Sequence, residues 1–226
     1  MKRFAIYYAS SRDVSLTREA ARWLGRDPFT GAVLEPSING FGRSTWEGIV
    51  ADPSMYGFHA TLKPPFRLAV GAREGDLRER LRTFAASRRP FEARLALGSL
   101  AHFVALVLSE PSPEFGSLAA DCVREFDAFR APASADELAR RRRGRHNPAH
   151  LAYIDRWGYP YVMEEWRFHM TLTSNLPPET FPAVRDHLAT LFEPLCHPPL
   201  VVDSVCLFQQ PEPGAPFLAV ERYPFR

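Results

Sequence analysis

Two short stretches of the chain carry the same five-residue pattern, in which a Phe, a His, a variable residue, a Thr and a Leu follow one another. The stretches are residues 58–62 (FHATL) and 168–172 (FHMTL). Because the side chains of an extended chain alternate between two faces, each stretch predicts an apolar face for a core and a second face with an imidazole beside a hydroxyl. A lone His-x-Thr triplet is weak evidence of function. The doubling is the informative observation, because a structural role in a sheet would explain one copy and not two.

The elements around the two patterns repeat in the same order along the chain. Each half predicts a strand, a helix, an irregular insertion, the His-x-Thr strand, a second helix and strand-like runs. The predicted strands lie at 3–9, 58–63, 92–99, 102–108, 168–173, 200–208 and 216–222. The predicted helices begin at Ser15, at Asp76 in a capping box with Glu79, at Ser112 and near residue 179. The insertions span about 26–55 and 130–166.

This repetition predicts an internal duplication with an α+β fold. We expect a single domain, residues 1–226, made of two lobes at about 1–100 and 101–226, with strand exchange between them allowed. Two antiparallel-rich sheets would face a central cleft, and the helices would pack outside. Approximate two-fold symmetry would then bring His59 and His169 to face one another across that cleft.

Two facing histidines suit a reaction in which one proton is removed and another is delivered, because imidazole titrates near neutrality. The residues predicted to be catalytic are His59, Thr61, His169 and Thr171. In the cleavage of a phosphodiester, one imidazole would take a proton from the attacking water and the other would protonate the leaving oxygen. The threonine hydroxyls would hold phosphate oxygens. This chemistry needs neither a metal nor a cofactor, and we expect none.

The two patterns resemble the paired signature motifs of the two-histidine (2H) phosphoesterase superfamily. Further stretches, YGFHATLKPPF at 56–66, FRAP at 129–132 and WGYPYV at 157–162, resemble its branch of DUF1045-type proteins, which is associated with phosphonate utilisation. The resemblance covers nearly the whole chain. It implies a bilobal duplicated fold, His59 and His169 as the catalytic pair, and metal-independent activity on cyclic phosphodiesters. It also implies a phosphorylated sugar with a cyclic phosphate as substrate.

We therefore predict a metal-independent cyclic phosphodiesterase, a hydrolase that acts on a small phosphorylated molecule. Two alternatives stay open. The first is an RNA-end enzyme of the same superfamily, which opens nucleotide cyclic phosphates or makes 2′,5′ linkages. The second is a non-catalytic protein that binds a phosphorylated ligand, although a pure binder needs no pair of proton-transferring histidines.

Seven further residues are predicted to contact the substrate. Alternation along the strand places Lys63 on the face of His59 and Thr61, where its charge would neutralise a phosphate. Arg130 is expected either to cap the helix before it or to grip a phosphate through its planar guanidinium. The remaining candidates lie near the two motifs or in a cluster of arginines: Tyr56, Tyr161, Arg167, Arg140 and Arg141.

The net charge of +2 is unevenly placed along the chain. Five arginines supply +5 within six positions, so the rest of the chain carries −3; they are Arg140, Arg141, Arg142, Arg143 and Arg145. Such a cluster is typical of a solvated helical face or of a phosphate contact. It lacks the interleaved aromatic residues of a single-stranded RNA surface, so RNA is a weaker candidate partner than a small phosphorylated molecule.

The composition predicts a cytoplasmic protein with no membrane partner. Of the 226 residues 46% are apolar, enough for a sizeable core, and no apolar segment approaches the length of a membrane span or a signal-peptide core. Three cysteines without paired spacing indicate core thiols, not a disulfide framework or a zinc site. His146 and His150 have the spacing of a helical metal pair, but Pro148 interrupts it, so no metal site is predicted.

Overall fold

The computed structural model describes residues 1–38, 40–144 and 146–226. Within these ranges, seven α-helices and two antiparallel sheets confirm the predicted α+β class. The strands are β1 (Arg3–Tyr8), β2 (Ala60–Phe66), β3 (Phe91–Ala93), β4 (Leu95–Leu100), β5 (Phe103–Leu108), β6 (Met170–Thr171), β7 (Leu200–Val202), β8 (Ser204–Gln210) and β9 (Leu218–Pro224). The helices are α1 (Ser15–Trp23), α2 (Arg43–Tyr56), α3 (Glu74–Ala86), α4 (Pro113–Glu125), α5 (Ala135–Arg141), α6 (Pro148–Trp157) and α7 (Phe181–Cys196).

The larger sheet contains seven strands in the order β4-β5-β6-β2-β1-β8-β9, and β3 pairs with β7 in the second sheet. Apart from β9 at one edge, the order is symmetric about the boundary between β2 and β6, the strands of the two His-x-Thr patterns. On either side of that boundary β1 corresponds to β5, and β8 corresponds to β4. The sheet order therefore follows the repeated order of elements that the sequence predicts.

Each half of the chain supplies a strand that extends the other half. β4, the last strand of residues 1–100, pairs with β5 over its whole length, from Leu95 opposite Leu108 to Leu100 opposite Phe103. In the same way β8 pairs with β1, which begins the chain. Residues 1–100 and residues 101–226 thus each contribute a strand that pairs with the other range.

The apolar faces of the motif strands lie in the main core. Phe58, Ala60 and Leu62 are all buried, as alternation along the first pattern predicts. Helix α4 packs against β2 and is capped by Ser112, whose hydroxyl accepts a hydrogen bond from the backbone N–H of Phe115 in the first turn. Its buried Leu118 contributes about 1.5–3 kcal/mol of burial free energy. Packing against the core therefore holds one face of β2 in place. Polar residues can occupy its other face.

Two local predictions are wrong. The predicted capping box at Asp76 and Glu79 is absent because α3 already begins at Glu74, after Arg73. Asp76 therefore lies inside the first turn, where it accepts hydrogen bonds from the Arg73 guanidinium at 3.0 Å. The insertions are also more regular than predicted, since the first contains α2 and the second contains α5 and α6.

Two expectations from composition can be compared directly with the structure. Cys122, Cys196 and Cys206 are buried free thiols, as predicted. In the described part of the chain, no helix combines the length and the apolar character needed to cross a membrane.

Candidate active site

The two His-x-Thr patterns lie on neighbouring strands of the larger sheet. β2 and β6 run antiparallel, and Ala60 pairs with Met170. This register places His59 across from Thr171, and Thr61 across from His169. The four residues therefore share one face of the sheet, with an imidazole of one pattern opposite a hydroxyl of the other.

The imidazole of His59 is fixed by contacts at both ring nitrogens. Its Nδ1 lies 2.8 Å from the carbonyl oxygen of Gly57, and its Nε2 lies 3.2 Å from Oγ1 of Thr61. Because a carbonyl oxygen can only accept, Nδ1 carries the proton and donates it. In the neutral ring Nε2 is then an acceptor, and the Thr61 hydroxyl donates to it. The ring also stacks on Tyr7, with centroids 3.8 Å apart and planes at 22°.

The end of α2 sets the position of the Gly57 carbonyl. Gly57 follows the last residue of that helix and has a φ of 76°, a conformation that favours glycine. A β-carbon at this position would also lie 2.5 Å from Cβ of Pro28, which is too close. The helix end, the glycine turn and the close approach of Pro28 together place the acceptor for His59.

The imidazole of His169 has the same orientation relative to its own strand. Its Nδ1 lies 2.9 Å from the carbonyl oxygen of Arg167, again two residues earlier in the chain. Nδ1 therefore carries the proton here as well, and Nε2 presents a lone pair. The ring of Phe103, on β5, lies beside it with centroids 5.9 Å apart. The two patterns thus give two imidazoles with the same tautomer.

Burial lowers the pKa of both histidines. For His59 the pKa falls to about 4, chiefly through burial, opposed by the hydrogen bond to Gly57 and helped by the nearby His169. Burial also lowers the pKa of His169, opposed by its bond to the Arg167 carbonyl. Both rings are therefore neutral at pH 7. A neutral Nε2 in this position can accept a proton from a bound hydroxyl.

A cavity of about 420 Å³ adjoins this cluster and is called here the histidine cleft. Thr61 and His169 line it, together with Tyr161 and Arg167, two of the residues predicted to contact the substrate. Trp166 forms part of the wall, and its indole N–H donates to the Thr61 carbonyl at 2.8 Å. Aromatic side chains and a guanidinium therefore surround the hydroxyl and imidazole of the opposing patterns.

Lys63 does not lie on the face of His59 and Thr61, so that prediction is wrong. The register of β1 and β2 shifts between the pairs Tyr7 with Thr61 and Ile6 with Lys63, which is the mark of a β-bulge. The extra residue turns Lys63 to the opposite face. There the side chain is only 1% exposed, and its ammonium donates to the Val123 carbonyl at 3.2 Å. Burial lowers the pKa of Lys63 to about 8.

Besides Arg167 in the histidine cleft, the predicted arginines separate into two environments. Arg130 and Arg141 line a second, smaller cavity together with Lys63. Arg140 is exposed and, within the described residues, lines neither this cavity nor the histidine cleft. Arg145, the last arginine of the cluster, lies outside the described residues. Among the described residues of the cluster, Arg140 and Arg141 therefore do not share one surface.

Several residues of the site escaped the sequence analysis. Tyr7 supports His59 from β1, and Tyr159 lines both cavities. Tyr7 could have been found from alternation along β1, which puts it on the face of the strand away from the main core. Tyr159 stands in the WGYPYV stretch, but no local pattern distinguishes it from Tyr161. Tyr56, a predicted contact, packs near His59 at 6.1 Å and stacks on Phe217.

The described residues contain no group of three or more His, Cys, Asp or Glu side chains arranged to hold a metal ion. His146 precedes α6, and its Nε2 lies 2.8 Å from the Arg141 carbonyl oxygen. His150 lies within α6, and its Nε2 is 3.0 Å from a carboxylate oxygen of Glu165. The two histidines therefore have separate partners.

Comparison with known proteins relates the chain to one family and to longer relatives. The family described as "Protein of unknown function (DUF1045)" matches residues 61–218. Two relatives carry the name "Ribose 1,5-bisphosphate phosphokinase PhnN". The one from Janthinobacterium sp. (strain Marseille) is 37% identical over 234 residues, covering 100% of this chain and 51% of that protein. The one from Laribacter hongkongensis (strain HLHK9) is 34% identical over 215 residues, covering 95% and 50%.

This chain therefore spans about half the length of the curated relatives it matches. Among solved structures, a conserved protein of unknown function from Agrobacterium tumefaciens covers 99% of this chain, and the match covers 84% of that protein. The TM-score is 0.46 and the sequence identity is 13%, values at which the likeness supports no argument about function.

The names of the relatives contradict the predicted hydrolase. A phosphokinase transfers a phosphoryl group to its substrate, whereas a cyclic phosphodiesterase breaks an ester of that group with water. The prediction of a cyclic phosphodiesterase is therefore wrong. The physical reason is that the paired His-x-Thr patterns indicate phosphate binding and proton transfer, and they do not specify whether water or a sugar hydroxyl attacks.

Proposed function

Because the chain belongs to the DUF1045 family and its relatives are named for a phosphokinase, we propose that the histidine cleft binds a phosphorylated ribose and serves phosphoryl transfer to that sugar. The observation that carries the proposal is the orientation of His59 and His169. Each ring donates Nδ1–H to a backbone carbonyl, so each Nε2 is the nitrogen that can accept a proton, and that of His59 accepts a hydrogen bond from the Thr61 hydroxyl. Two such acceptors on adjacent strands, each with a threonine hydroxyl, suit a sugar that bears both hydroxyl and phosphate groups.

The proton of the attacking sugar hydroxyl would pass to Nε2 of one histidine. As that proton moves, the oxygen of the sugar hydroxyl would form the new bond to phosphorus, and the bond from phosphorus to the donor would break, with the electron pair leaving on the donor. On binding, the Thr61 hydroxyl would turn from Nε2 of His59 to an oxygen of a phosphate that the sugar already carries, and the Thr171 hydroxyl would donate to another oxygen of that phosphate. A neutral imidazole of low pKa is a weak base, so it would take up the proton as the new bond forms and not before.

The proposal concerns the sugar and not the phosphoryl donor. The relatives are about twice as long as this chain, and no donor site is assigned to it. Membership of the two-histidine superfamily, a role in phosphonate utilisation and a cytoplasmic location complete the proposal. The doubled pattern supports the first, the DUF1045 match together with the names of the relatives supports the second, and the composition supports the third.

Binding can be tested by titration calorimetry with ribose 1,5-bisphosphate and with unphosphorylated ribose. We expect the bisphosphate to bind and Thr61→Val to weaken it by about 10- to 100-fold, the value of a hydrogen bond to a charged group. Thr61→Ser, which keeps the hydroxyl, should restore binding. Thr190→Val, at an exposed position of α7, is the matched control. Equal affinity for the two sugars, or wild-type affinity in Thr61→Val, would contradict the proposal.

Proton transfer can be tested separately by ³¹P NMR of the protein with ATP, Mg²⁺ and ribose 1,5-bisphosphate. Formation of a new sugar phosphate that slows by about 10²–10⁴-fold in His59→Gln or His169→Gln would support a role for that imidazole. Transfer at the wild-type rate in both variants would remove the histidines from the reaction.

A further inference from the structure

The second cavity of the described structure is small and strongly basic. Its volume is about 40 Å³, room for about three water-sized groups. One carboxylate, that of Glu137, lines it, whereas five cationic side chains do so: Arg3, Lys63, Arg67, Arg130 and Arg141. This cavity is called here the basic pocket.

The carboxylates of the protein neutralise only part of this charge. Glu137 binds Arg67 through both oxygens, at 2.7 and 3.1 Å. Asp127 lies 2.7 Å from Arg130 and 3.6 Å from Lys63, so one carboxylate serves two cations. Five positive charges against two negative ones leave a surplus of three around the pocket.

Two guanidinium groups also converge without a carboxylate between them. The Nη1 atoms of Arg130 and Arg141 lie 3.0 and 3.1 Å from the position that a β-carbon on Gly158 would occupy. Both arginines donate to carbonyls at the end of α6, Arg130 to Arg156 and Arg141 to Gly158. Capping of the helix explains where they lie. The carbonyl end of a helix carries only about half a negative charge, so it does not offset the surplus.

The basic pocket adjoins the histidine cleft, because Tyr159 lines both. We propose that the basic pocket binds a second phosphate group of the substrate, while the histidine cleft holds the first. This inference rests on the proposed function of the cleft. A terminal phosphate carries three oxygens, which matches the room in the pocket, and it accepts charge-assisted hydrogen bonds from converging guanidinium groups. The desolvated ammonium of Lys63, which shares the Asp127 carboxylate with Arg130, would gain a further counter-charge on binding.

The two sites can be separated by two variants and three sugars. Arg141→Gln alters the basic pocket and Thr61→Val alters the cleft. The ligands are ribose 1-phosphate, ribose 5-phosphate and ribose 1,5-bisphosphate, each titrated by calorimetry. We expect each variant to weaken the bisphosphate by about 10- to 100-fold. Each monophosphate, whose single phosphate occupies one site, should respond to only one of the variants.

Arg124→Gln is the control, because it removes the same charge from an exposed position on α4 beside the pocket residue Val123. Thermal unfolding of each variant checks the fold, and Arg130→Gln replaces Arg141→Gln if the latter is unstable. If Arg141→Gln and Arg130→Gln affect the bisphosphate no more than Arg124→Gln does, the inference is overturned. If the two arginine variants weaken binding of the bisphosphate while Thr61→Val has no effect, the result supports phosphate binding in the basic pocket and contradicts sugar binding in the histidine cleft.

Discussion

The imidazole of His59 lies almost flat on the phenol ring of Tyr7, with 3.8 Å between the ring centroids. Tyr7 is 1% exposed, so its ring forms a rigid floor that belongs to the neighbouring strand β1. The stack holds the imidazole in the plane from which Nδ1 reaches the Gly57 carbonyl, and it shields one ring face from water. The lowered pKa of His59 therefore depends on a residue outside its own motif.

Replacing Tyr7 should change both the stability of the protein and the titration of His59. Tyr7→Ala removes a buried aromatic ring, which we expect to lower the free energy of unfolding by about 3–5 kcal/mol. Water admitted to the imidazole should also raise the pKa of His59 toward its usual value. Tyr7→Phe keeps the stack and serves as the control. Histidine titration by NMR would contradict the role of the stack if the pKa of His59 were the same in all three proteins.

The stability of the protein should fall in mild acid because of His59. Its pKa is about 4 in the folded protein and about 6.5 when unfolded, so between these values the unfolded chain binds more protons. Stability is unaffected above about pH 6.5 and declines as the pH falls toward 4, by up to about 3 kcal/mol from this residue. His169 acts in the same direction. Denaturant titrations of the wild type and of His59→Gln should show a smaller acid loss in the variant, and parallel losses would rule out this linkage.

Lys63 should reduce stability at neutral pH, in keeping with a role in binding. Its pKa of about 8 lies below the unfolded value, so charging the buried amine costs about 3 kcal/mol below pH 8, a cost that fades as the pH rises toward 10.4. We expect Lys63→Met, of similar shape, to be as stable as the wild type at pH 7 or more stable by about 1–3 kcal/mol. The wild type alone should gain stability between pH 8 and 10. A large loss of stability in Lys63→Met at pH 7 would show that the ion pair with Asp127 is stabilising.

Division of the chain between residues 100 and 101 should leave two fragments that do not fold alone. We propose 1–100 and 101–226 as the two units of one domain, and each would lose a strand partner, because β4 pairs with β5 and β8 pairs with β1. Exposed sheet edges of this kind are unstable in isolation. Circular dichroism and NMR should show little native structure in either fragment and its recovery when the two are mixed. A fragment with a native-like spectrum on its own would contradict this division.

Sequence alone predicted the motif strands and most helices, because their apolar positions follow the periods of strand and helix. The face of Lys63 could not be predicted, since the bulge that turns it arises from the pairing of β2 with β1. The basic pocket could not be predicted from the sequence either. Its cations come from positions between Arg3 and Arg141 and meet only through the fold. The predicted hydrolysis was wrong because no residue of the His-x-Thr patterns specifies which group attacks the phosphorus.

The pairing of β2 with β6 restricts how the histidine cleft can move. Many enzymes close on their substrates by swinging two domains about a hinge, but here the two halves share one hydrogen-bonded sheet. Parting His59 from His169 would break the pairing at Ala60 and Met170, and the exchanged strands would resist it. The four motif residues therefore form a rigid platform of fixed spacing. Tyr159 and Tyr161 of the cleft wall lie outside this pairing, so we expect their side chains, and not the sheet, to move when a ligand enters or leaves.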